Sequence, residues 1–157
     1  MRIGFGTDTH RLVYNRKLIV GGVEIENDKG CDGHSDGDAL IHAICDSLLG
    51  ALALRDIGFH FPDNAAENKG RESSEFLIYV MTLIGKKGFG VTNIDTTIHI
   101  QAPKMNPHID AMQTQLSKIM NIEKSQISIK AKTGEKVGII GRGEVISVDA
   151  VALLYKK

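Results

Sequence analysis

Asp8 and His10, two residues apart in IGFGTDTH, and His42 within GHSDGDALIHA are side chains whose combined chemistry suits a zinc ion. Alternate residues of a strand share a face, so Asp8 and His10 point one way while Ile3 and Phe5 are free to pack on the other. A ligand arriving from a helix would complete the set. One carboxylate oxygen and two imidazole nitrogens are good partners for a borderline-soft ion, and three protein ligands leave a fourth position for water or substrate, the pattern of a catalytic rather than a structural site. Spacing alone leaves a second reading open, in which His42 is a core histidine held by Asp46. Asp38, His42 and Asp46 fall at i, i+4 and i+8 of one helix and share an edge, so either acid is positioned to accept the second N–H of a ligating imidazole.

Three further stretches carry polar groups at turns. His34 and Ser35 precede a helix start, where backbone N–H groups and the helix dipole favour an anion such as phosphate; capping is the alternative use of this run. TGEKVGIIGRG sets Thr133, Glu135, Lys136 and Arg142 among four glycines. That places donors and one carboxylate within reach of a phosphate or a hydrated magnesium ion, although the stretch is not a P-loop and a plain turn is the competing reading. QAPKM offers Lys104 beside a rigid proline. His60, His99 and His108 have no partner visible in the sequence.

The elements that must position these groups can be read from periodicity. Strands are expected over Arg2 to His10, Leu18 to Val20 and Val23 to Ile25, with Gly21-Gly22 as a turn. A helix is expected from about Asp36 to Leu54, capped by Asp36 or Asp38, with Leu40, Ile41, Ile44, Cys45, Leu48, Leu49 and Leu52 facing the core. Arg55 to Gly70 reads as a long loop, with residues 60 to 70 ordering over a substrate. Helices follow at Ser73 to Ile84 and from an Asn106 cap with Pro107 to Asn121; strands follow over VTNIDTTIHI, Ser125 to Lys132 and Val145 to Tyr155. The interleaving predicts one α/β (α+β) domain over residues 1–157, a single β-sheet covered by helices on one face.

The 157 residues are enough for a substantial core, and 19 basic residues balance 19 acidic ones without a block of either sign. Nothing in that balance calls for nucleic acid or an anionic membrane as a partner. Cys31 and Cys45 form neither a CxxC pair nor a disulfide framework and fit a reducing compartment as buried, inert thiols. With no membrane-length apolar run and no leader segment, the expected location is cytoplasmic.

GxDxH at Gly6 to His10, GGV at Gly21 to Val23, HSDGD at His34 to Asp38 with His42 four residues on, DIG at Asp56 to Gly58, FPD at Phe61 to Asp63, QAPKM at Gln101 to Met105, EKxG and GRGE follow in one order along the chain. Together they resemble the 2-C-methyl-D-erythritol 2,4-cyclodiphosphate synthase family of the non-mevalonate isoprenoid pathway. The resemblance implies a homotrimer with active sites at subunit interfaces, one Zn2+ per subunit on Asp8, His10 and His42, and a second divalent ion, Mg2+ or Mn2+, held with Glu135. It implies catalytic roles for His34 and Thr133 as transition-state donors. Asp8, His10, His34 and Ser35 would touch substrate, with Asp56, Ile57, Gly58, Phe61, Pro62 and Asp63 on its methylerythritol-phosphate side. Ile100, Gln101, Ala102, Pro103, Lys104, Met105 and Asn106 would form the cytidine and diphosphate side. Ala131, Lys132, Thr133, Gly134 and Glu135 would complete that side, and Ile139 and Arg142 would also touch substrate.

The implied reaction converts 4-diphosphocytidyl-2-C-methyl-D-erythritol 2-phosphate to the cyclic diphosphate plus CMP, the work of a phosphorus–oxygen lyase. Two other functions fit the residues: a zinc-dependent phosphohydrolase using the same ligands, and a non-catalytic trimeric nucleotide-binding module. Thr7 and Ile139 stand where relatives commonly carry aromatic residues near a cavity on the trimer axis, which weakens the case for an isoprenoid diphosphate there. Ala65 replaces a frequent second acid after FPDN.

Overall fold

The computed structural model describes residues 1–33, 35–62 and 70–157. Its main sheet has five strands in the order β4-β1-β7-β5-β6, formed by β1 (Arg2–Tyr14), β4 (Lys29–Cys31), β5 (Phe89–His99), β6 (Ile127–Lys132) and β7 (Val145–Lys156). Neighbours are antiparallel except β5 and β6, which run parallel and are joined across the sheet by α4 (Ile109–Met120). A two-stranded hairpin, β2 (Leu18–Val20) and β3 (Val23–Ile25), stands beside it. Its turn residues Gly21 and Gly22 both have positive φ, the type I′ conformation that matches strand twist.

One face of the sheet is core. Ile146, Val148, Ala150, Ala152 and Leu154 of β7 and Ile94, Thr96 and Ile98 of β5 are buried at period two. They pack under α1 (Ala39–Ala51), which is apolar on nearly every side because the sheet covers one flank and α3 (Ser73–Lys86) the other. The close contact has a cause in β1: a Cβ on Gly4 would lie 1.9 Å from the Ser47 carbonyl oxygen, and one on Gly6 2.2 Å from that of Ala43. Only glycine lets strand and helix backbones meet there. On the opposite face Ile3 and Phe5 stay exposed, at 71% and 60%.

The helix-covered main sheet and the core helices agree with the sequence expectation, while the separate β2–β3 sheet, several boundaries and several contacts differ. Strand β1 runs on to Tyr14 because β4, a strand without a strong pattern of its own, pairs with Leu12 to Tyr14. Within the expected loop after Arg55, α2 (Ile57–His60) forms one turn capped by Asp56, whose carboxylate accepts from Phe59 N–H at 2.9 Å. Residues 63–69 of that loop, including Asp63 and Ala65, lie outside the described residues, as does His34. Asn106 and Pro107 open a short 3-10 turn instead of capping α4 directly. A further helical turn, α5 (Gly138–Gly141), interrupts the glycine-rich stretch before β7. His60 reaches the Leu54 carbonyl six residues back and His99 pairs with Asp149 at 3.0 Å, partners that no local pattern marked.

Candidate active site

Two elements bring Asp8, His10 and His42 to one point. Asp8 and His10 leave β1 on the same side as Gly6, and the close approach of α1 at that glycine puts His42, one turn into the helix, within reach. Asp8 Oδ2 lies 2.8 Å from His10 Nε2 and 3.1 Å from His42 Nδ1, and the two ring nitrogens are 3.4 Å apart. A tetrahedral ion with ligands at about 2.0–2.1 Å would separate them by about 3.3 Å, so adjustments of about half an ångström or less would seat one. All three side chains are partly buried, His42 at 12% and Asp8 at 25% exposure.

The donor chemistry favours a cation. His10 Nδ1 lies 3.0 Å from the Asp32 carbonyl oxygen, which only accepts, so Nδ1 carries a proton. Nε2 faces Asp8, to which it donates when protonated and beside which its lone pair would be offered to a cation. The outer nitrogen of His42, Nε2, meets Ser73 Oγ at 2.8 Å and Ser35 Oγ at 3.4 Å, leaving Nδ1 facing the same point. Burial opposes charge on Asp8 and His10, but their shared hydrogen bond and attraction outweigh it. Asp8 is held well below the usual carboxylate range, helped by His42, and His10 is raised above an ordinary imidazole. Among the described residues, Asp8, His10 and His42 form the one group of three or more acidic, histidine or cysteine side chains able to hold a metal ion.

The partners expected for His42 are otherwise engaged. Asp38 is fully buried as the cap of α1, accepting from Ile41 N–H and from Gly21 and Gly22 N–H at 2.9 and 2.7 Å; it ties the hairpin turn to the helix. Asp46 accepts from Ile57 N–H at 2.7 Å and fixes α2 at the mouth of the site. Ser73, from the start of α3, stands where one of these acids was expected, with its Oγ against His42 Nε2. No local pattern marks it, because the contact spans 31 residues.

The cluster opens into a cleft of about 670 Å³ lined by Asp8, His10, Ser35, His42, Ile57, Gly58 and Phe61, with Asp32, Gly33 and Phe76 added to the residues anticipated from sequence. Asp56 caps α2 beside this cleft. A second cleft, about 280 Å³, is lined by Ile100, Gln101, Pro103, Lys104, Met105, Asn106, Ala131, Lys132 and Thr133. Beside it Thr133 Oγ1 donates to Glu135 at 2.9 Å, and Lys136 N–H donates to Gln101. Glu135 and Lys136 both adopt left-handed backbone, a strained conformation of the kind that collects at functional loops. Glu135 does not belong to the Asp8–His10–His42 cluster. Ala102 and Arg142 line a third recess, and Arg142 pairs with Glu144, while Ile139 is exposed.

An α/β fold with an Asp–His–His ligand set at the floor of an open cleft has the form of a metal-dependent enzyme. The chain belongs to the YgbB family, whose model matches residues 1–155. It is 54% identical over 153 residues to the 2-C-methyl-D-erythritol 2,4-cyclodiphosphate synthase of Porphyromonas gingivalis, covering 98% of this chain and 94% of that one. Identity to the enzyme of the same name from Clostridioides difficile is 53% over 154 residues, covering 98% and 96%. Among solved structures it superimposes on IspF of Plasmodium falciparum in complex with CDP, with a TM-score of 0.88, 40% identity and coverage of 99% and 96%. A CDP-bound 2C-methyl-D-erythritol-2,4-cyclodiphosphate synthase matches with a TM-score of 0.91, 36% identity and coverage of 98% and 100%.

Proposed function

We propose that this chain is a cyclodiphosphate synthase, converting 4-diphosphocytidyl-2-C-methyl-D-erythritol 2-phosphate to 2-C-methyl-D-erythritol 2,4-cyclodiphosphate and CMP in the cytoplasm. The observation that carries this reading is the convergence of Asp8 Oδ2, His10 Nε2 and His42 Nδ1 on one point at the floor of the larger cleft, in a chain whose relatives bear that enzyme's name. In the proposed reaction the 2-phosphate attacks the β-phosphorus of the same molecule, the bond to the α-phosphate oxygen breaks, and CMP leaves with that oxygen. Attacker and target are both anionic, so the protein's task is to fold the substrate back on itself against charge repulsion.

The chain's own groups suit that task. Asp8, His10 and His42 would hold Zn2+, and Glu135 would help hold Mg2+ or Mn2+. These ions would supply Lewis-acid neutralisation of the diphosphate oxygens. Ser35, Ile57, Gly58 and Phe61, with Pro62 and Asp56 beside them and His34 and Asp63 nearby in sequence, would confine the methylerythritol-phosphate end. Backbone groups from Ile100 to Asn106 and from Ala131 to Gly134 would confine the cytidine end. Thr133, whose hydroxyl donates to Glu135, would turn that proton to the transferring phosphate once Glu135 holds its ion, joining His34 as a donor. Among the described residues the two clefts share no lining residue within one chain, which supports a homotrimer in which one copy's second cleft meets its neighbour's metal cluster. Ile139 and Arg142 would border that junction.

Phosphorus NMR of the protein with substrate, zinc and magnesium tests the proposal. Cyclic diphosphate appearing in step with CMP, and abolished by chelation, is the expected result. Inorganic phosphate in its place would identify a hydrolase, and CMP binding without turnover would identify a nucleotide-binding module.

A further inference from the structure

We infer that Ser73, held by Asp36, is a positioning residue that fixes the tautomer and ring orientation of His42 for metal binding; this rests on the metal-dependent reading above. Ser73 is fully buried, and its Oγ lies 2.8 Å from His42 Nε2. Asp36 grips Ser73 with both carboxylate oxygens: Oδ2 accepts from Ser73 N–H at 3.0 Å and Oδ1 from the Ser73 hydroxyl. The serine proton is thereby committed to the carboxylate, and its oxygen can serve His42 only as an acceptor. His42 Nε2 must then carry a ring proton, so that an ion replacing the 3.1 Å contact between Nδ1 and Asp8 Oδ2 would meet the lone pair of Nδ1, beside His10 Nε2.

Ser35 does not fill the same role. Its Oγ stands 3.4 Å from His42 Nε2 and accepts from Gly37 N–H at 3.2 Å, so it is the longer and less constrained contact. The pair replaces the direct carboxylate–histidine contact common at metal sites with a carboxylate–serine–histidine chain. It also joins two helices, since Asp36 satisfies the first backbone donor of α3 where Glu72, the residue at the cap position, makes no side-chain capping bond. The start of α3 is thus coupled to the metal ligand on α1. His10 is oriented separately, by the Asp32 carbonyl, so the two imidazoles are set by independent means.

The test is zinc affinity, measured by competition with a chromophoric chelator, for the wild-type chain, Ser73→Ala and Ser73→Thr. Removing the hydroxyl should weaken zinc by about 10- to 100-fold, and Ser73→Thr, which restores it, should recover most of that loss. Long-range 1H–15N NMR of the zinc-loaded wild-type protein should find the His42 proton on Nε2 and the metal on Nδ1, a readout that needs no variant to fold. Equal zinc affinity of wild type and Ser73→Ala would overturn the inference, as would failure of the threonine to rescue or a metal on Nε2. A folded wild-type chain with no zinc affinity would overturn the metal-dependent reading itself, a distinct outcome.

Discussion

Two histidines and a carboxylate form a metal site only when their lone pairs agree, and here each imidazole has its outer nitrogen occupied by a group that accepts. That arrangement makes the ligands interdependent. His42→Ala should abolish zinc binding and lower turnover at least about 100-fold, the scale of a lost Lewis-acid contribution, while CMP still binds through the second cleft. Isothermal titration with zinc and with CMP checks both halves, and undiminished turnover would refute the assignment. A second expectation concerns the thiols. Burial, reinforced by the charges of Asp38, Asp8 and Asp36, pushes Cys31 up to about 12, and burial likewise raises Cys45. The native state therefore keeps protons that an unfolded chain releases above about pH 9, so these thiols make stability fall as pH rises past that point and leave it unchanged below. At pH 9 iodoacetamide should label the unfolded chain readily and the native chain slowly; comparable rates would show that the thiols are reachable.

At the scale of elements the site depends on how closely β1 meets α1. Gly6→Ala would drive a methyl into the Ala43 carbonyl and the Asp46 side chain, prying apart the strand with two ligands and the helix with the third. We expect a loss of about 3 kcal/mol in stability, together with weaker zinc binding. Guanidinium denaturation and chelator competition would measure the two effects, and an unchanged midpoint would contradict the packing account.

The same elements explain what could be read from the chain. Alternation in β1 placed Asp8 and His10 on one face, helical spacing buried Leu40 through Leu49, and motif order carried the family. Those signals are periodic or local. Ser73 was not legible because its partner is 31 residues away, and β4 was not because Lys29–Cys31 becomes a strand only by pairing with β1. Asp46 misled the local reading: its helical register with His42 is real, but the Ile57 amide competes for it.

At the scale of the molecule, the uncovered face of the sheet sets the last prediction. Ile3 and Phe5 expose apolar side chains on the side opposite the helices, with Val151 opposite Phe5 on β7. In the proposed homotrimer this patch would be where copies meet, and association would bring one copy's second cleft to another's metal cluster. Sedimentation velocity should find three times the 17.1 kDa mass of one chain. Phe5→Asp should yield folded monomers without turnover. A fully active wild-type monomer would remove the basis for a shared site.

The pairing of β1 with β7 also constrains how the chain comes off the ribosome. Arg2 to Arg11 hydrogen-bond to Val145 to Leu154, so the strand bearing Asp8 and His10 waits, as the chain is made, for a partner translated more than a hundred residues later. Until then α1 has only part of a sheet to rest on, and the nascent chain carries an open strand edge beside an apolar helix, the kind of surface that chaperones shield. Contacts this distant in sequence form slowly. If β1 settles only when β7 closes against it, an ion held by Asp8, His10 and His42 would be captured at the end of folding.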